Sequence, residues 1–159
     1  MSEYLAEVIW QCGADERFLD NRYSRGHVWR FDGGTTVPAS ASPHIVPLPY
    51  SVEENVDPEE AFVASLSSCH MLFFLSIAAK KRLSVERYTD KAVGTLAAGD
   101  EGRQCMTEVR LCPVVAFSGS EVTLEQIEAI HHRAHELCFI ANSVTSKVWV
   151  DMSAQRASF

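Results

Sequence analysis

Residues Ala61 to Ala79 carry no formal charge, and Asp57-Pro58-Glu59-Glu60 stands immediately before them. Asp57 has the short acceptor side chain of a helix N-cap. Pro58 fits the first helical position, where its missing N–H costs nothing, and Glu60 sits at the third position, where it completes a capping box. The pattern predicts one helix from Asp57 to about Arg82, roughly 35 Å long at 1.5 Å per residue. Phe62, Leu66, Phe73 and Ile77 lie near one face, while Val63, Met71, Leu72, Phe74 and Leu75 cover others. A helix apolar on nearly all sides must be covered on several of them. Its length approaches a membrane span, but Ser65, Ser67, Ser68, Cys69, His70 and Ser76 interrupt the apolarity, so a buried helix and no membrane partner are expected.

At 159 residues the chain is expected to form a single domain over 1–159. The net charge of −7 leaves no concentrated basic patch for phosphates, so no nucleic-acid partner is expected. The one basic run, Lys80-Lys81-Arg82, complements the C-terminal end of the helix dipole. Met1-Ser2-Glu3-Tyr4 lacks a basic and apolar leader pattern, and cysteines at 12, 69, 105, 112 and 138 form an odd set without close spacing. Both features lead to the expectation of a cytoplasmic protein in a reducing compartment.

The remaining segments read as strands and one further helix. Tyr4 to Trp10 alternates, and His27 to Phe31 runs into the turn signal Asp32-Gly33-Gly34 before Thr35-Thr36-Val37. Four prolines between residues 38 and 49 predict a loop over Ala39 to Tyr50. Tyr88 to Leu96 and Cys105 to Phe117 read as strands around Gly99-Asp100-Glu101-Gly102, and the second places Thr107, Val109, Leu111, Val115 and Phe117 on one side. Thr123 to Gln126 forms a capping box for a helix ending near Asn142, and Lys147 to Met152 makes a last strand. Strands, long helix, strands, helix and strand in that order give an α+β fold with an antiparallel or mixed sheet.

Glu59 lies ten residues before Cys69 in Ser67-Ser68-Cys69-His70-Met71, and a second thiol closes Ala134-His135-Glu136-Leu137-Cys138. With the element order, these segments resemble the OsmC/Ohr family of thiol peroxidases, from the Tyr23-Ser24-Arg25-Gly26-His27 stretch to the last strand. One departure is Phe139, where many members carry proline. The resemblance implies an intertwined homodimer of the OsmC/Ohr-like fold, with N-terminal β-hairpins and a long central helix. It also implies reduction of organic hydroperoxides by a Cys69 thiolate, resolution by Cys138 through a disulfide, and recycling by an external dithiol, commonly a lipoylated protein. No cofactor or metal is implied. A free thiol with a pKa of about 8.5 is mostly protonated at neutral pH and needs a nearby cation. The resemblance supplies an arginine from the N-terminal strands, here Arg25, with Arg22 second, and Glu59 to hold it.

Ten helical residues amount to roughly 15 Å of rise, so one continuous helix does not bring Glu59 to its own Cys69. A homodimer in which Glu59 of one chain serves Cys69 of the other answers that spacing. Phe73 and Phe74 near Cys69 are expected to favour organic or lipid hydroperoxides over hydrogen peroxide. Cys12, Cys105 and Cys112 read as packing residues, and His70 points about 100° away from Cys69. Two alternatives stand beside this reading. One is a catalytically idle binding relative. The other is a metal site of His131, His135 and Cys138, which share one helical stripe without a paired zinc signature.

Overall fold

The structure is a computed structural model describing residues 1–119 and 121–159. It contains two compact units, Met1–Ala61 and Phe62–Phe159. In the first, β1 (Ala6–Ile9), β2 (His27–Phe31) and β3 (Thr36–Ala39) form an antiparallel sheet in that order. Trp29 pairs with Val8 on one side and Val37 on the other. β1 begins at Ala6 rather than Tyr4 because Ala6 already faces Phe31, the last residue of β2 before the turn. That turn uses Gly34 at φ +85°, whose N–H donates to the Phe31 carbonyl at 2.9 Å. The proline-rich segment forms no strand or helix from Ser40 to Tyr50, whereas Pro38 and Ala39, where the loop was expected to begin, still pair with Val28 and His27 at the end of β3. The loop is held by Ser40, whose Oγ accepts from the Val52 N–H at 2.9 Å. A short 3-10 turn at Phe18–Asp20 has no clear signal in the sequence.

The predicted capping box is present. The Glu60 N–H donates to Asp57 Oδ1 at 2.8 Å, and the Asp57 N–H donates to Glu60 Oε2 at 3.2 Å. It opens α1 (Pro58–Lys80). Arg82, at φ +59°, turns the chain so that the Leu83 N–H reaches the Ala78 carbonyl and ends the helix.

In the second unit, the two long strands expected after α1 are four. β4 (Ser84–Asp90) pairs antiparallel with β7 (Pro113–Ser118), and β5 (Val93–Ala98) pairs antiparallel with β6 (Gln104–Leu111). The break has a local cause. Pro113 lacks an N–H, and the Cys112 N–H is taken by Asp90 Oδ1 at 2.6 Å instead of continuing a ladder. The other Asp90 oxygen accepts from the Ser67 hydroxyl of α1 at 2.5 Å, so one carboxylate ties the sheet corner to the helix. The alternation predicted for this segment survives the break, with Val109, Leu111, Pro113 and Val115 all buried.

β8 (Lys147–Val150) joins β6 in parallel, which makes the β5-β6-β8 sheet mixed. α2 (Leu124–Leu137) starts at the predicted Thr123 box and ends at Leu137, five residues earlier than expected. Cys138 is extended there (φ −66°, ψ 108°), and Asn142 closes a separate turn by donating to the Cys138 carbonyl through its N–H and to the Glu136 carbonyl through its side chain. A one-turn helix, α3 (Ser153–Arg156), follows β8. Its buried Gln155 accepts from the Val115 N–H at 2.6 Å.

Two apolar clusters organise this unit. One joins Phe74 and Ala78 of α1 to Val115, Val122 and the α2 residues Ile127, Ile130 and Ala134. The other joins Leu66 to Val109 and Leu111. The buried residues of α1 within the unit are Leu66, His70, Phe74 and Ala78, four apart along one stripe. α1 is long and apolar enough to cross a membrane by length and composition, and within this unit it buries one stripe.

Gly94 of β5 lies where α1 crosses the sheet. A Cβ there would meet Val63 Cγ2 at 2.5 Å and Met106 Cε at 2.4 Å. Met106 can swing away, whereas β-branched Val63 is stiff. Gly94→Ala is therefore expected to lower the unfolding free energy by about 1–3 kcal/mol, read from urea denaturation, and Val63→Ala in the same chain is expected to return part of that loss.

Candidate functional site

α1 places Cys69 half-buried, two residues after Ser67, whose hydroxyl is fixed by Asp90. α2 delivers Cys138 at its C-terminal end, 1% exposed. Both are free thiols. The structure places these two predicted residues near one another, close enough for the Cys69 thiol to raise that of Cys138. The Cys138 thiol is pushed up to about 11, chiefly by burial; the Ala141 N–H pulls the other way, Cys69 raises it further, and the Ile140 N–H opposes least. The Ala141 N–H points at Cys138 Sγ from 3.5 Å. One thiol is thus accessible, and its neighbour is held protonated in the interior.

Arg25 and Glu59 belong to the first unit. The Arg25 guanidinium lies 3.8 Å over the Tyr23 ring and donates to the Tyr23 carbonyl at 2.6 Å, the Asn21 carbonyl at 3.1 Å and Asn21 Oδ1 at 2.6 Å. It is fixed as a planar fork by stacking and hydrogen bonds. Its runner-up, Arg22, pairs with Arg17 through the backbone. Glu59 is half-buried on the first turn of α1, and Glu60 fills the capping box, as the sequence indicates.

His70, beside Cys69 in sequence, faces the opposite way. Its Nε2 meets His131 Nδ1 at 2.9 Å, with the rings stacked 9° from parallel, and both residues are almost fully buried. Phe74 packs 4.3 Å from the His131 ring, so Phe74 lines the core and not the space beside Cys69. This corrects the expectation that Phe74 contacts substrate; its 0% exposure leaves no face for one. Tyr88 lies on another side of His131, its hydroxyl buried and its pKa raised, first by burial and then by Asp90. Burial lowers His70 to about 4, with help from His135, and lowers His131 to about 3, with help from His70.

The histidine stripe on α2 does not converge as a metal site. The His131 ring is engaged with His70, Cys138 has left the helix, and among the described residues no three His, Cys, Asp or Glu side chains gather around a common point. Cys12 and Cys112 are half-buried, as packing residues are. Cys105 differs from expectation: it is exposed on β6 near the Gly99–Gly102 turn. The buried His70–His131 pair was not foreseen from the sequence. Its signal was the position of His70 at i+4 from Leu66 and i−4 from Phe74, on the stripe that faces the core.

The profile of the family described as OsmC-like protein matches residues 52–153. An OsmC-like protein of unknown function from Vibrio cholerae has a solved structure that is 60% identical, with a TM-score of 0.93, covering 95% of this chain and 99% of that one. An organic hydroperoxide resistance protein from Elizabethkingia anophelis shares 16% identity at a TM-score of 0.69, covering 94% of this chain and 93% of its own. A further organic hydroperoxide resistance protein, from Legionella pneumophila, shares 16% identity at a TM-score of 0.64, covering 95% of each chain. No functionally curated protein matches the chain.

The two buried imidazoles give the stability a defined pH dependence. Their folded-state pKa values lie below the ordinary 6.5, so the unfolded chain takes up protons first as the pH falls. The stability of the neutral pair is complete above pH 6.5 and declines from there down through pH 4 to 3. The expected loss is on the order of 3 kcal/mol per ring by pH 4, read as a falling urea midpoint. Replacing both rings by leucine is expected to flatten that slope.

Proposed function

The chain belongs to the family of OsmC-like proteins, and on that premise we propose that it is a cysteine peroxidase reducing organic hydroperoxides. The observation that carries this reading is the placement of two free thiols, a half-buried Cys69 on α1 and a buried Cys138 just past the end of α2 that is close enough to feel it.

The Cys69 thiolate attacks the outer peroxide oxygen. The S–O bond forms, the O–O bond breaks, and the alkoxide leaves as an alcohol after taking a proton. Cys138 then attacks the sulfenic sulfur. The S–S bond forms, and the hydroxyl departs as water with the Cys138 proton. An external dithiol, of the kind a lipoylated protein carries, reduces the disulfide and is itself oxidised. No metal or organic cofactor takes part.

In this reading Arg25 supplies the cation that stabilises the Cys69 thiolate and hydrogen-bonds the peroxide oxygen, and Glu59 is the carboxylate assigned to orient it during the reaction. The ten-residue spacing from Glu59 to Cys69 supports a homodimer in which each chain completes its partner's site. Within the second unit, the exposed apolar side chain of Leu72 on α1 is consistent with such an interface. Phe73, one helical turn beyond Cys69 and half-buried, supplies the apolar wall that favours a hydrocarbon tail over hydrogen peroxide. The free cysteines suit a reducing cytoplasm.

Reduced protein mixed with stoichiometric cumene hydroperoxide is expected to form a Cys69–Cys138 disulfide, mapped by mass spectrometry after rapid quench. Cys69→Ser removes the fast thiol loss, and Cys138→Ser replaces the disulfide by over-oxidised Cys69. Thiol loss no faster than that of free cysteine would instead support an idle binding relative. Light scattering at working concentration is expected to give twice the chain mass; a monomer would sink the shared-site arrangement.

A further inference from the structure

Phe139 follows Cys138 immediately, and its ring stands edge-on to Phe73 with centroids 5.0 Å apart at 89°. Phe73 is one turn after Cys69 on α1, so this contact joins the helix of one thiol to the residue next to the other. The hydrogen bonds of the segment after Cys138 close on the segment itself and on the end of α2. Asn142 closes on the Cys138 and Glu136 carbonyls, and the Ser143 hydroxyl donates to the Phe139 carbonyl at 2.7 Å. Beyond Phe139, Ile140 and Ala141 pack against the cluster of Leu66, Val109 and Leu111, with Leu66 three residues before Cys69. Cys138 has no helix to fix it, because its extended backbone ends α2. Among the described residues, Phe139 makes the only aromatic contact from this turn to α1.

We propose that the Phe73–Phe139 edge-to-face contact is a clamp that holds the Cys138 turn against Cys69, making Phe139 a positioning residue for formation of the disulfide. The idea rests on the peroxidase reading for its purpose, though its geometry does not. Phe139 is 70% exposed, so it adds little to the core, and Phe73 is its one aromatic partner among the described residues. An edge-to-face pair contributes enough to change the closed population of such a turn about three- to tenfold. That change shifts how often Cys138 is in reach of the Cys69 sulfenic acid before a second peroxide arrives. In the clamped state resolution outruns over-oxidation. Without the clamp, the second oxidation to sulfinic acid gains by the same factor.

Two measurements on Phe139→Ala test this independently. The first equilibrates the protein with a dithiol/disulfide buffer, dithiothreitol and its cyclic oxidised form, and quantifies the Cys69–Cys138 disulfide. The clamp predicts that the disulfide equilibrium constant falls about three- to tenfold in Phe139→Ala and returns in Phe139→Tyr, which keeps the ring edge. The thermal midpoint is expected to move little, because the side chain is mostly exposed. An unchanged equilibrium constant overturns the clamp whether or not the protein is a peroxidase. The second measurement follows cumene hydroperoxide titration by intact mass. The initial rate of Cys69 oxidation is expected to stay at the parent value while the sulfinic fraction per turnover rises by the same factor. An equal sulfinic fraction in both proteins overturns the role in resolution. Failure of the parent protein itself to react would count against the peroxidase reading alone, leaving the redox-buffer result to decide the clamp.

Discussion

Burial of a single stripe on α1 is the constraint on which the second unit depends. Leu66 belongs to one apolar cluster and Phe74 and Ala78 to the other, so the same helix is common to both. Removing four side chains from water along one helix face is worth several kcal/mol at about 25 cal/mol per Å². That packing fixes the rotation of the helix. Once the rotation is set, Cys69 is turned away from the core by one residue's step and His70 is turned into it. The accessible thiol and the buried imidazole are two results of one packing decision.

Asp90 adds what apolar contact does not supply, which is axial position. A hydrophobic stripe can slide, whereas a carboxylate bonded to Ser67 on the helix and to the Cys112 N–H at the sheet corner has one geometry. Pro113 belongs to the same device. By removing an N–H from the ladder it bends the hairpin, and the bend presents Asp90 toward α1. The two-histidine contact between α1 and α2 is a further polar fixture in an otherwise apolar interior, and it costs desolvation of both rings.

The elements with strong local chemistry were legible in the sequence. Both capping boxes, at Asp57 and Thr123, are formed, and the alternation of Val109, Leu111 and Val115 is the buried face of the sheet. What escaped was the result of partners distant in the chain. The corner at Asp90 and Cys112 requires knowing that two strands are paired, and the end of α2 at Leu137 depends on the Asn142 side chain returning to the Glu136 carbonyl. At the site, the placement of Cys69 on a helix was readable from local structure, whereas Cys138 lies just past the end of α2, a position set by the turn at Asn142. Phe74 was misplaced because an almost uniformly apolar helix does not say which of its faces looks inward.

The buried position of Cys138 has a consequence for turnover. In the proposed cycle a reductant reaches the disulfide from the Cys69 side, so Cys138 is the sulfur expelled. A thiolate whose conjugate acid ionises only near 11 is a poor leaving group. In that cycle, the burial that keeps this thiol protonated would also oppose its release as a thiolate, so protection of Cys138 and its recycling pull against each other.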